Sequence, residues 1–138
     1  MLRIPRVLFA VLFAGAISLP AMAQTPKEIL AEINSEAQAS NLAFKGFSAA
    51  QGTTFFKQKH GNEWACASCH TDNPAAIGKH AKTGKIIDPL APAANPERFS
   101  NPAKVAKWFK RNCNDVLGRV CTAQEKGDVL SYLLTIKN

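Results

Sequence analysis

Cys66-Ala67-Ser68-Cys69-His70 is the stretch on which the reading of this chain turns. Two thiols at C-x-x-C spacing reach the two vinyl groups of one protohaem, and the histidine that follows is held where its imidazole meets the iron. The same spacing also serves zinc and thiol redox chemistry. A zinc site wants a second Cys/His pair at ligand spacing, and Cys113 and Cys121 stand too far apart to supply one. A thioredoxin-like site wants a βαβ setting, and no such alternation surrounds the motif. The expectation is one covalently attached haem c, with Cys66 and Cys69 as thioether positions and His70 as the proximal iron ligand.

The upstream context agrees. Arg3 and Arg6 precede an apolar run from Val7 to Leu19, and Ala21-Met22-Ala23 has the small-residue pattern of a cleavage site. The run is too short for a comfortable membrane span. Residues 1–23 therefore read as a secretory signal cleaved after Ala23, with an uncleaved anchor as the alternative. Residues 24–138 read as a single exported domain, periplasmic and without a membrane span.

The chain carries 17 Lys and Arg against 10 Asp and Glu, and only Arg3 and Arg6 of the basic set fall in the leader. The exported part stays mildly basic, and haem propionates would reduce that further. No Lys/Arg cluster has aromatics interleaved with it, which argues against nucleic acid. Of the 4 cysteines, two are assigned to the haem. Cys113 and Cys121 remain, and an oxidising compartment favours a disulfide between them over two free buried thiols.

Punctuation along the chain predicts helices, and no strand is convincing. Thr25-Pro26-Lys27-Glu28 is a capping box with proline at the first helical position, opening a helix to about Ala39. Ser48-Ala49-Ala50-Gln51 is a second box, starting a helix to about Lys59 with Gly52 and Phe56 on one face. A glycine inside a helix costs about 1 kcal/mol against alanine and marks close approach by another helix. Residues 72–99 are rich in Pro, Gly, Ala and Asn and show no sustained period, which fits a loop wrapped round a haem edge. Asn101-Pro102 opens a third helix that places Val105, Trp108 and Phe109 on a shared face. Thr122-Ala123-Gln124-Glu125 caps a last helix to about Ile136. The fold class is all-α, about four helices around one haem.

These pieces resemble class I cytochromes c. In that family a helix just before CxxCH crosses the C-terminal helix, and a glycine and an aromatic on the first meet an aromatic on the last. Gly52, Phe56 and Tyr132 match those places. The stretches Thr83-Gly84-Lys85, Pro89-Leu90-Ala91-Pro92, Arg98-Phe99 and Asn112-Cys113 through Cys121 resemble one subgroup, that of cytochrome c″ and the oxygen-binding SHP proteins. There the resemblance implies a disulfide beside the haem and a sixth iron ligand immediately before its first cysteine. That ligand is histidine in cytochrome c″ and asparagine in SHP. This chain has Asn112, as SHP does.

Read from the residues alone, the sixth position stays open. Both methionines, Met1 and Met22, lie in the expected leader, so a His/Met pair is excluded once it is removed. His60, His80, a lysine, Asn112 or no ligand at all remain, and Asn112 by itself reads as a residue near a helix C-terminus. The resemblance selects Asn112 as distal ligand in the ferric state. The aromatic stripe of Trp108 and Phe109 reads as ordinary core, which in a haem protein is the pocket wall; Lys85 is placed in the pocket as well, and Lys85 or Arg119 is the cation that would pair with a propionate or else stay solvated. The resemblance implies an electron-transfer protein whose partner is a dihaem cytochrome c or a membrane b-type cytochrome, and whose released sixth site takes a diatomic gas. Plain electron carriage with a permanently six-coordinate haem, and reduction of a small molecule at the open iron, are the alternatives. The sequence shows no convincing general base for enzymatic work.

Overall fold

The computed structural model describes residues 23–137, so all of the expected leader except Ala23, with both methionines, lies outside the described residues. Helix α1 spans Pro26–Ser40 behind a complete Thr25/Glu28 capping box and buries Ile29, Ile33 and Ala37. These positions recur every fourth residue, which gives one apolar stripe. Helix α2 spans Ala49–Lys57, α3 Ala67–His70, α4 Pro102–Leu117 and α5 Ala123–Leu133.

Helix α5 is the spine. Its two sides serve two apolar clusters: one gathers Ile29, Ile33 and Leu130 beneath α1, the other Phe56, Val129 and Leu133 beneath α2. The glycine–aromatic crossing expected from the resemblance is present. A Cβ on Gly52 would stand 1.9 Å from the Asp128 carbonyl oxygen and 3.0 Å from Tyr132 Cβ. Four residues on, the Phe56 ring lies 5.5 Å from that of Tyr132. Asp128 pins the crossing from the other end. It is buried, and its Oδ1 accepts from Ser48 N at 2.7 Å and from Gln124 Nε2 at 2.9 Å. Ser48 is the N-cap of α2, so a carboxylate sits where the helix dipole favours negative charge.

Three expectations need correction. The motif itself forms a fifth helix, the single turn α3. The Ser48 box is half made, for Ser48 accepts from Gln51 N but no return bond from the Gln51 side chain forms. And residues 72–99 are not structureless. They contain a short antiparallel pair, β1 (Gly78–Lys79) and β2 (Ile86–Ile87), in register Gly78↔Ile87 and Lys79↔Ile86. Beyond it, Pro74 O accepts from Leu90 N at 2.8 Å and Ala91 N at 2.9 Å. The Arg98 guanidinium donates to Asp88 O at 2.9 Å and Pro89 O at 3.0 Å. Such a segment is ordered by isolated hydrogen bonds between distant residues, which leave no hydrophobic period to read.

Helix α4 differs from the others. Asn101 caps it, its side chain accepting from Lys104 N at 2.9 Å, and Gly118 ends it in the left-handed region at φ 73°. Its inner stripe runs through Val105 and Phe109 to the buried Cys113 and Val116. The broad helix contacts of the molecule are those of α2 and α1 with α5, and α4 has none to match them.

Candidate functional site

One turn of helix builds the centre of the site. Cys69 N and His70 N both bond to Cys66 O, at 3.2 and 3.0 Å, and the Ser68 hydroxyl accepts from Ala65 N at 2.9 Å to start the turn. Positions i, i+3 and i+4 share a face, so Cys66, Cys69 and His70 are brought together. Thr71 then takes φ 59°. A left-handed non-glycine backbone costs about 1 kcal/mol or more and turns the chain sharply away beyond the histidine.

The β1–β2 hairpin closes on this turn from one side. Gly78 touches it directly: a Cβ there would stand 2.3 Å from Cys69 O. Ala81 N donates to Cys69 Sγ at 3.4 Å. From below comes Phe56, its ring 6.5 Å from the His70 imidazole.

The electrostatics suit a haem-binding motif. Burial pushes the Cys66 thiol up to about 11, so it is held as the neutral thiol. Burial, and after it the Arg98 charge, pulls the His70 imidazole down to about 4. The ring is therefore neutral at ordinary pH, with a nitrogen lone pair free for a metal. Cys66 and Cys69 are free cysteines, each half-buried. Among the described residues no group of three or more His, Cys, Asp and Glu could hold a metal ion by themselves. Two thiols and a neutral imidazole on one face are the donor set that haem c requires, and the residues fit that group.

The other predicted residues fall into two places. Cys113 and Cys121 form a disulfide with Cα atoms 5.6 Å apart, joining the last turns of α4 to the start of α5. Asn112 and Trp108, one turn apart on α4, are exposed. Lys107 Nζ and the Arg111 guanidinium lie 6.0 and 5.6 Å from the Trp108 ring. Phe109 turns the other way, into the cluster beneath α1 and 6.2 Å from Phe99. Lys85 is exposed beside β2. Arg119 is held by Glu125 through two bonds of 2.8 and 2.6 Å, so the cation weighed for a propionate already has a carboxylate.

The two histidines weighed as ligands are engaged in their own turns. His60 Nε2 donates to Phe55 O at 2.8 Å, and the two rings lie 4.4 Å apart, tilted at 45°. His80 Nδ1 accepts from Lys82 N and Thr83 N, both at 3.3 Å. Three residues with evident roles escaped the sequence reading: Asp128 at the crossing, Arg98 beside His70, and Asn62, which binds the end of α4. Arg98 stood in a quoted stretch but without a role, and nothing local marks the other two.

Comparison with known proteins gives consistent results. A family described as a domain of unknown function (DUF1924) matches residues 42–133. Cytochrome c″ of Methylophilus methylotrophus is 46% identical over 103 residues, covering 72% of each chain. The cytochrome c-type protein SHP of Cereibacter sphaeroides is 49% identical over 69 residues, 50% of this chain and 53% of that one. Among solved structures, oxidised cytochrome c″ from M. methylotrophus superposes with a TM-score of 0.75 at 40% identity, covering 82% of this chain and 95% of that one. Oxidised SHP, described as an oxygen-binding cytochrome c, gives 0.72 at 34% identity, covering 83% and 99%.

Proposed function

This chain belongs to the DUF1924 family, in the cytochrome c″ and SHP group of cytochromes c, and from that premise we propose that it is an exported mono-haem electron-transfer protein with a redox-gated sixth site. Haem c, when bound, would supply a redox-active iron. Cys66 and Cys69 would hold it by thioether bonds, the neutral His70 imidazole would ligate the iron, and Asn112 would be the second protein ligand in the ferric state. The proposed compartment is the periplasm, and the electron partner a dihaem cytochrome c or a membrane b-type cytochrome.

The observation that carries this reading is the contrast among the candidate distal ligands. The rings of His60 and His80 are bonded into their own turns. Asn112 stands exposed on α4 immediately before the disulfide, and the similar SHP is an oxygen-binding cytochrome c. An amide oxygen is a hard, neutral, weak donor. It would hold a ferric centre better than the softer ferrous one, so Asn112 would be released on reduction and the iron would become open to oxygen, nitric oxide or carbon monoxide.

The test is an absorption spectrum of the holoprotein, oxidised and then reduced without air, before and after carbon monoxide. A high-spin ferrous spectrum that shifts with carbon monoxide is expected. A low-spin ferrous spectrum indifferent to it would mean that a strong ligand stays on and would end the gating reading. A released asparagine takes up no proton near neutral pH, unlike a released histidine. The midpoint potential is therefore expected to lack a steep pH dependence traceable to this ligand. A steep slope that vanishes in Asn112→Ala would contradict that.

A further inference from the structure

The turn after α2 is built against the far end of α4. Asn62 donates from its backbone N to Val116 O at 3.2 Å, and from Nδ2 to Asn114 O at 3.2 Å and Asp115 O at 3.1 Å. These carbonyls belong to the last turn of a helix, where intrahelical partners run out; Asn114 O also accepts from Gly118 N at 3.1 Å. Gly61 makes the approach close: a Cβ there would stand 3.0 Å from Leu117 O.

The gripping turn is itself stiffened. Besides the His60 bond and tilted ring contact with Phe55, Glu63 N donates to His60 O at 2.8 Å, and His60 N donates to Trp64 O at 2.9 Å. Glu63 adopts φ 59°, a left-handed backbone that persists only where its surroundings enforce it. Cys66 follows three residues later. One short segment thus grips the end of α4 and begins the haem attachment.

We propose that Asn62 is a positioning residue for Asn112. Its first gripped carbonyl lies two residues beyond Asn112 on the same helix, so it sets where the Asn112 amide rests relative to the segment that carries Cys66 and His70. The disulfide ties the same helix end to α5, a different body, and leaves that relation to Asn62. The proposal rests on Asn112 being the sixth ligand.

Sodium azide titrated into the ferric holoprotein reads how readily Asn112 is displaced. Losing two exposed hydrogen bonds in Asn62→Ala is expected to raise azide affinity about fivefold. Asn62→Asp keeps the shape but aims a carboxylate at two carbonyls, and is expected to raise it further. Carbon monoxide affinity of the ferrous form, where Asn112 is already released, is expected to stay within about twofold. Asn112→Ala alone is expected to exceed Asn62→Ala in azide affinity, and adding Asn62→Ala to it is expected to change nothing more. Parental azide affinity in Asn62→Ala overturns the proposal. So does a rise that persists in the Asn112→Ala background, since that is a general structural effect. Parental affinity in Asn112→Ala is a different failure: it removes the ligand reading, and with it anything for Asn62 to position.

Discussion

At the α2–α5 crossing the two backbones touch through Gly52 and Asp128, whereas α4 is held chiefly at its C-terminal end and along one stripe. The crossing carries fully buried side chains such as Phe56 and Leu133 and a buried carboxylate with two donors. The outer face of α4 leaves Trp108 and Asn112 exposed, and the end of the helix is fastened by a disulfide and by Asn62. The attached histidine sits on the side of Phe56 and the crossing. The proposed releasable ligand sits on the tethered helix. A ligand that must leave and return is better carried by an element fixed at defined points than by one packed along its length, because dense packing resists small displacements.

The largest expected effect breaks the crossing. Gly52→Ala puts a methyl 1.9 Å from the Asp128 carbonyl oxygen, and the helices must part. A loss of about 3 kcal/mol or more in denaturant unfolding is expected. Gly118→Ala, at the end of α4 with φ 73° and its nearest foreign atom 3.7 Å away, is expected to cost only about 1 kcal/mol through backbone strain. Equal losses at the two glycines would erase the contrast.

Next comes the tether. Cys113→Ser with Cys121→Ser opens a loop of sequence separation 8, and chain entropy assigns such a loop about 2–3 kcal/mol. If the disulfide limits how far Asn112 swings, ligand rebinding rates after photolysis of carbon monoxide are expected to change as well. Unchanged rates would leave the bond a stabiliser alone.

The smallest effect concerns the start of α5. The Arg119 side-chain bond is the first cause that holds the Glu125 carboxyl below its ordinary 4.5. A carboxylate depressed in the folded state stabilises above the unfolded value and loses that contribution as pH falls through the folded one. Stability is therefore expected to drop below about pH 4.5, and Glu125→Gln to remove that component. The pair is partly exposed, so the loss at neutral pH is expected to be about 0.5 kcal/mol. An identical acid limb in the variant would show the ion pair to be inert.

Much of the fold was legible because it is written locally. Caps at Thr25, Asn101 and Thr122 mark three helix starts within a few residues, and each is made as expected. Gly52 inside a helix marks a close helix approach from the sequence, and the resemblance pointed to Tyr132 as the facing aromatic. The candidate site was legible in its CxxCH half, since Cys66, Cys69 and His70 fall within one turn. The hairpin over Cys69 was not, because two-residue strands leave no periodic signal. Phe109 showed how a local pattern misleads: it shares the aromatic stripe of α4 with Trp108 yet faces the core beneath α1.

The sequence by itself determined the attachment motif, the all-α class, the cysteine pair left over for a disulfide and the lack of a methionine beyond residue 22, because each depends on residue type and short-range spacing alone. Only the tertiary structure decided that Asp128 anchors the start of α2 from 80 residues away and that Asn62 grips the end of α4 from 52 and 53 residues away. Hydrogen bonds between residues so far apart in the chain depend on where folding brings the backbones together, and no local pattern encodes that.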